Sequence, residues 1–324
     1  MGVTLKTIAE RTGLALGTVS QAMRDDPIIA EPTRKRVKAA AESLGYVPSD
    51  LGRALQAGRS ALIGYFLSDL TQTYYGEIMQ GLASAAAENG FGILFVATPH
   101  SAETQIQQIK FLEKKRVEGL ITSGCEPDTW LYLEKLAAGG FPVVVSENYP
   151  PRQMTTVKTD DLAGGAMAAG LLADLGHRRT LYFNPGNAYN LRRDGFQDEL
   201  RRRGLPSAAE CSDADALGKI LRGPERPTAI FAYRDLDAMR AREIAASVGL
   251  KTPADLSLVG FDDDAYAAFP DISLTTVRPR KQEVGRASVL TLLKMIGNSP
   301  RGESRLIKPD LIVRNSVGGP NIKE

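Results

Sequence analysis

Residues 3–24 read VTLKTIAERTGLALGTVSQAMR. Thr4 can cap a helix on which Leu5, Ile8 and Ala9 fall on one stripe, and Gly13 supplies a turn. In the helix that follows, Val19 and Met23 are four apart and face back onto the first, leaving Leu16, Gly17, Ser20, Gln21 and Arg24 outward. A third helix fits Glu31 to Leu44, with Glu31 and Pro32 in its first turn and Val37, Ala41 and Leu44 closing a small core. Three short helices around one apolar plug suffice to present a recognition helix to the major groove of DNA.

Charge agrees with that reading. Residues 1–60 carry nine Lys and Arg against six acids, a net of +3, in a chain whose total is +2. The excess sits where phosphate neutralisation would be needed. The run Arg34 to Lys38 reads equally well as a solvated helix face. Next comes YVPSDLGRALQAGRS, residues 46–60. Pro48 ends the preceding helix, and Ser49 can cap a short new one containing Leu51, Arg53 and Leu55. So short a helix is unstable alone in water, which suits a hinge that folds only when something packs on it.

From about Ala61 the pattern changes. Apolar runs (LIGYFL, GILFVA, GLITSG, PVVVS) alternate with helical patterns near residues 75–89, 102–116 and 128–138. A second series has TLYFN, AIFAY and LSLVGFDD with helices near 164–175, 192–203 and 236–248. This alternation predicts parallel sheets covered by helices on both faces. A small ligand then belongs beyond the carboxyl ends of the strands. Those ends carry Glu147 and Asn148, Arg234 and Asp235, and Asp262.

The order TIAERTGLALGTVSQAM, TRKRVKAAAESLGYVP, LGRAL resembles the head of the lactose/galactose repressor (LacI/GalR) family. The likeness runs through the body in DDLAGGAMAAGLLADLGHRR, LRRDGF, ADLSLVGFDDD, ISLTTVRPRKQEVGR and LIKPDLIVRNS. It implies a small all-α helix-turn-helix head, residues 1–58 with a hinge helix at about 49–56, and a two-lobed α/β body of the periplasmic-binding-protein kind, residues 59–324. The first lobe would take about 60–157 and 280–309, the second about 158–279 and 310–324.

The resemblance also implies roles. Leu16, Gly17 and Gln21 would read bases, Thr18, Ser20 and Arg24 would hold phosphates, and Thr4, Leu51 and Arg53 would complete the DNA-facing set. Leu55 would wedge into the minor groove of a pseudo-palindromic operator, kinking it. Gln21 suits adenine and Leu16 a thymine methyl, whereas Gly17 has no side chain to read with. Ala15 and Ala30 stand where the family has capping serines, and Gly52 where it has a hinge alanine. Each of the three should weaken its helix by about 1 kcal/mol. In the body, Arg192 and Asp262 match residues that grip an effector, Tyr74 and Tyr75 match aromatics at the cleft mouth, and Cys125 falls on a loop lining it. Many members have Asn in place of Arg234 and Asp in place of Glu147. Two arginines in one cleft would favour an anion, while Glu147 and Asp262 could neutralise them and suit sugar hydroxyls. The expectation is a carbohydrate-like effector, and a homodimer formed near residues 75–89 and 282–296.

Other classes fit less well. The two histidines form no Ser/His/Asp order, and His177, in the turn GHRR, is expected at the surface. There is no P-loop or G-x-G-x-x-G. Cys125 and Cys211 suggest neither zinc nor a disulfide framework and fit a reducing cytoplasm. No cofactor or metal is expected. The chain lacks a signal-like apolar stretch at residue 1 onward and any apolar run of ~20 residues. The expectation is therefore a cytoplasmic, effector-controlled repressor rather than an enzyme. An activator, or a small-molecule binding protein without a DNA role, is the alternative.

Overall fold

The computed structural model describes residues 3–46, 59–67, 74–98, 101–147, 154–186, 191–298 and 301–321. Its packing divides the chain into two compact units, residues 1–60 and 61–324.

The first unit is the helical head. Helix α1 (Leu5–Thr12) begins at Thr4, whose hydroxyl accepts from the Thr7 N–H while the Thr7 hydroxyl accepts from the Thr4 N–H. That reciprocal cap satisfies two helix-end donors. Gly13 closes the helix at φ 67°, a backbone region open to glycine. Helix α2 (Leu16–Met23) and α3 (Glu31–Ser43) start at Ala15 and Ala30, and neither start has a side-chain cap. Ile8, Val19, Ala22, Val37 and Ala41 fill the core. Ala22, not Met23, is the second fully buried residue of α2, because a three-residue step follows the inward stripe more closely here than a four-residue one.

The basic run has local partners. Lys38 pairs with Asp25, Arg34 donates to the Asp25 carbonyl, Lys35 pairs with Glu31, and Arg36 donates to the Thr12 carbonyl. Lys38 and Arg34 thus hold the turn at Asp25, which sits at φ 59°, and Arg36 the end of α1, while the Lys35 pair stays within α3. Lys38 holds the Asp25 carboxyl below its ordinary range.

The second unit contains two six-stranded sheets of matching order. One runs β11–β5–β4–β3–β1–β2 and the other β12–β10–β9–β8–β6–β7. The first comprises β1 (Leu62–Leu67), β2 (Gly92–Ala97), β3 (Gly119–Ser123), β4 (Val143–Ser146), β5 (Thr155–Thr159) and β11 (Arg305–Ile307). The second comprises β6 (Thr180–Phe183), β7 (Ala209–Cys211), β8 (Ala229–Ala232), β9 (Ser257–Phe261), β10 (Thr275–Arg278) and β12 (Asp310–Ile312). All pairings are parallel except β10 with β12. The chain passes between the lobes three times: from β5 into the second, from β10 back into the first, and from β11 to β12. The two-lobed α/β architecture is thus as the sequence predicts. Short β7 was not legible, since a three-residue strand has no periodicity to see, and the sequence reading passed over α9 (Ala214–Arg222) although Leu217 and Leu221 fall on one face.

Two helix pairs cover the inner faces. On the first sheet α4 (Tyr74–Glu88) crosses α11 (Lys281–Asn298); on the second α7 (Asp161–Asp174) crosses α8 (Leu191–Arg202). Both crossings are made by reciprocal glycines. A Cβ on Gly81 would strike the Gln282 carbonyl, and one on Gly285 the Ile78 carbonyl. Likewise Gly165 lies against the Arg192 carbonyl and Gly195 against that of Leu162. Helices α5 (Ala102–Lys114), α6 (Pro127–Ala138) and α10 (Asp235–Ser247) complete the layers. No helix among the described residues is long and apolar enough to cross a membrane.

His177 is not at the surface. It is 1% exposed, Nδ1 lying 2.9 Å from the Thr228 hydroxyl and Nε2 2.8 Å from the Gly318 carbonyl. The segment after β12 folds over a turn that looks polar in sequence, and burial lowers the imidazole pKa.

Two stability outcomes follow from the packing. Gly165→Ala should destabilise the body by about 1–3 kcal/mol, the usual cost of overpacking, in chemical denaturation. Ala15→Ser should stabilise the head by roughly 1 kcal/mol through a restored cap; an unchanged midpoint would mean the α2 start is already satisfied.

Candidate functional site

The glycine crossing in the second lobe sets the first turns of α7 and α8 side by side at the carboxyl ends of the strands. There Arg192 is 8% exposed. Its Nε donates to Asp161 Oδ1 at 3.0 Å and Nη1 to the Tyr233 carbonyl at 2.7 Å. Its guanidinium lies 3.6 Å from the Phe261 ring centroid and 4.7 Å from that of Tyr233. Nη2 stands 3.5 Å from Asp262 Oδ1. Burial opposes the charge of Arg192, but Asp161 and Asp262 outweigh it and hold its pKa well above the ordinary value.

Asp262 follows β9 at φ 104°, and its backbone N–H donates to the Val277 carbonyl. The side chain is 7% exposed, and Oδ1 accepts no hydrogen bond among the described residues. Burial pushes its pKa up to about 6 against the pull of Arg192 and Lys281.

Facing groups come from the first lobe. Glu147 follows β4 at φ 51°, and its Oε1 accepts from the Thr159 N–H at 2.8 Å and hydroxyl at 2.7 Å. Beneath it, the Tyr65 hydroxyl and Ser123 Oγ lie 3.0 Å apart, and Ser123 in turn donates to the Ser146 carbonyl, bracing the end of β4. Burial, then the Asp161 charge, raise the Glu147 pKa to about 7, while Thr159 partly offsets them. Two non-glycine acids at positive φ store strain of order 1–3 kcal/mol each at one site. The Tyr74 hydroxyl is buried without a full hydrogen bond. Burial first, then the charges of Glu147 and Asp262, push its pKa up, so both acids act on one hydroxyl. Lys281, 3% exposed, pairs with Glu77 at 3.2 Å and lies 5.3 Å from the Tyr74 ring centroid. Tyr75 meets Tyr74 edge to face.

The structure therefore brings together Tyr74, Glu147, Arg192 and Asp262. Others go elsewhere. Arg234, at the start of α10, turns its Nε to Asp237, which Arg240 also holds. It is not a second uncommitted cation. Asp235 is fully buried, accepting from the Thr276 hydroxyl at 2.5 Å and the Asp264 N–H at 2.8 Å. Burial raises its pKa to about 8 despite the Thr276 bond, so its place is to tie β10 to the loop after β9. Cys125 lies just past β3, its sulfur 3.1 Å from the Thr122 hydroxyl, and packs with the core under α5 and α6; burial raises its pKa to about 12. Asn148 lies outside the described residues.

In the head, Leu16 and Gly17 on α2 and Arg24 at its end are exposed, and Thr18, Ser20 and Gln21 are half-buried. Thr4 serves as the α1 cap. Leu51, Arg53 and Leu55 lie outside the described residues. Sequence reasoning missed Asp161, Lys281, Thr159 and Phe261. Asp161 had a signal, an acid in the first turn of a helix; Lys281 had none, because only the helix crossing reveals its burial.

Raised carboxyl pKa values have a sign. A Glu with a folded pKa above its unfolded ~4.5 gives stability that is present below that value and lost as pH rises through the folded pKa. Glu147→Gln should thus leave the melting temperature nearly unchanged at pH 5 and raise it at pH 8; equal shifts at both would show that Glu147 titrates normally.

Comparison with known proteins agrees with this two-part layout. Residues 4–49 match the family model described as bacterial regulatory proteins, lacI family, and residues 169–317 match a periplasmic binding protein-like domain. The chain is 29% identical to the HTH-type transcriptional repressor CytR of Escherichia coli (strain K12) over 97% of its length and 96% of that protein's. Its fold is similar to the crystal structure of the Lac repressor dimer bound to operator and the anti-inducer ONPF, with TM-score 0.86, 24% identity, and coverage of 98% and 100% of the two chains. It is also similar to the transcriptional regulator CelR–cellobiose complex, with TM-score 0.68, 25% identity, and coverage of 97% and 99%. The chain thus joins a helix-turn-helix domain that matches the lacI family of bacterial regulatory proteins to a periplasmic binding protein-like domain.

Proposed function

We propose that the chain is a cytoplasmic transcriptional repressor that binds a pseudo-palindromic operator as a homodimer and is controlled by a small polar, carbohydrate-like effector. The observation that carries the effector half is the Arg192 cluster. A buried guanidinium stacked on Phe261, beside two acids held at positive φ, is poor economy for folding and sound preorganisation for a ligand. Cellobiose in the CelR complex is a ligand of the expected chemistry. Tyr74, Glu147, Arg192 and Asp262 form the effector site in this reading, with Tyr75 at its edge. Arg234 and Asp235 take supporting roles at the neighbouring strand end.

Leu16, Gly17 and Gln21 read bases, Thr18, Ser20 and Arg24 hold phosphates, and Leu51, Arg53 and Leu55 act in the minor groove. Effector binding shifts the population of two lobe arrangements, and the operator-competent arrangement rises or falls with it. The ligand is bound and released unchanged, without catalysis.

Selection of genomic fragments by the purified protein, followed by sequencing, should enrich one pseudo-palindrome. Leu55→Ala should abolish that enrichment, and Gln21→Ala should relax it at one base by about 1–3 kcal/mol. Absence of any enriched sequence, with metabolites present or absent, would rule the reading out. Arg192→Ala should remove the effector response while leaving operator affinity within the range of the parent.

A further inference from the structure

We propose that the effector carries a protonated nitrogen beside its hydroxyls, seated between Asp262 and Glu147, and that the cleft rejects sugar acids and sugar phosphates. This rests on the effector site assigned above and narrows the ligand to a class, the amine-bearing polyols.

Which ligand the cleft can take depends on which of its charges are already committed. An anion would need a cation with donors to give. Arg192 directs Nε to Asp161 and Nη1 to the Tyr233 carbonyl, and Phe261 and Tyr233 lie over its guanidinium. Arg234, its side chain 37% exposed, gives its Nε to Asp237. Lys281 is buried against Glu77. Arg192, the buried guanidinium of the site, therefore has no uncommitted fork for the bidentate grip by which arginine recognises carboxylate or phosphate.

Acceptors are in the opposite condition. Asp262 Oδ1 is buried, accepts nothing, and meets only the edge of Arg192 at 3.5 Å. The Tyr74 hydroxyl leans toward Glu147 and lowers its pKa without completing a hydrogen bond of full geometry. A buried acceptor left in this state costs free energy that a donor on a ligand would recover. Charged groups acting on the two acids come from every side of the cleft. Asp161 and Asp264 add negative charge, and Arg192, Lys281 and Lys158 oppose it. The outcome is that both carboxyls ionise less readily than usual, Asp262 raised to about 6 and Glu147 to about 7. A protonated nitrogen between them supplies both the missing donor and the missing charge. Hydroxyl groups alone would supply only the donor.

The two ligand classes leave opposite proton signatures. A cation binds more tightly as pH rises through the two acids, since ionised carboxylates hold it. A neutral polyol desolvates the acids further and binds more tightly as pH falls.

The test uses the full-length protein and matched probes: the amine, alcohol and carboxylate forms of one hexose at its sixth carbon, in the gluco and galacto series. Thermal stabilisation is followed from pH 5.5 to 8, over which the amines stay protonated. In at least one series the amine should bind about tenfold or more tighter than its alcohol, with affinity rising with pH, and the carboxylate should not bind. Glu147→Gln and, separately, Asp262→Asn should each erase the preference for the amine. Equal or better binding of an alcohol or carboxylate, a preference that survives both variants, or no stabilisation by any amine overturns the proposal. Fragment selection on the same preparations separates the two claims: an operator enriched without an amine preference rejects only the ligand class, whereas no operator rejects the function itself.

Discussion

Everything in the body depends on helices that touch backbone to backbone. Four glycines, Gly81 and Gly285 in one lobe and Gly165 and Gly195 in the other, let paired helices approach until a Cβ would enter a neighbouring carbonyl. The consequence is registration rather than compactness alone. Each crossing sets two helix N-termini together above the carboxyl edge of a sheet, and each brings a buried base to an acid: Arg192 to Asp161 in the second lobe, Lys281 to Glu77 in the first. The lobes are thus alike in charge arrangement as well as in strand order, and the cleft groups stand where those two pairs end.

What differs between the lobes is how the acid at the end of a central strand is held. Glu147 has two bonds from Thr159 to satisfy one oxygen, whereas Asp262 has a long contact to Arg192 and an oxygen without a donor. Both take a positive φ, a conformation that a residue with a Cβ adopts at a cost. Loops after strands tolerate such strain because the sheet behind them fixes their ends, and here Tyr65 and Ser123 add a second brace under Glu147. The site is therefore rigid on the first-lobe side and underbonded on the second. That asymmetry suits a ligand which completes one lobe while touching the other, the condition for a ligand to favour one lobe arrangement.

The head and the strand-helix alternation were open to sequence reading because each repeats at the period of its secondary structure. Ile8, Val19 and Val37 announce a three-helix core, and apolar runs such as LIGYFL announce buried strands. Family likeness gave Arg192 and Asp262 without giving their partners. Asp161 and Lys281 are fixed by which helices cross, a long-range fact with no local pattern. Arg234 misled as a possible anion clamp, since a cation at a strand end looks the same in sequence whether it faces the cleft or an acid three residues on. His177 misled similarly: a turn of polar residues becomes interior when the segment after the last strand closes over it. The basic run of α3 was left open between two readings, and two of its cations, Arg34 and Lys38, prove to hold the head's own turn at Asp25.

The central claim is that one molecule couples a ligand in the body to DNA on the head. Thermodynamic linkage gives the most direct measurement: the affinity of the effector for the protein alone and for the protein saturated with operator. The account predicts that the two differ, by about 5- to 150-fold for an ordinary coupling, and by the same factor with which the effector changes operator affinity. Equal effector affinities in the two conditions would contradict it, however tightly each ligand binds by itself.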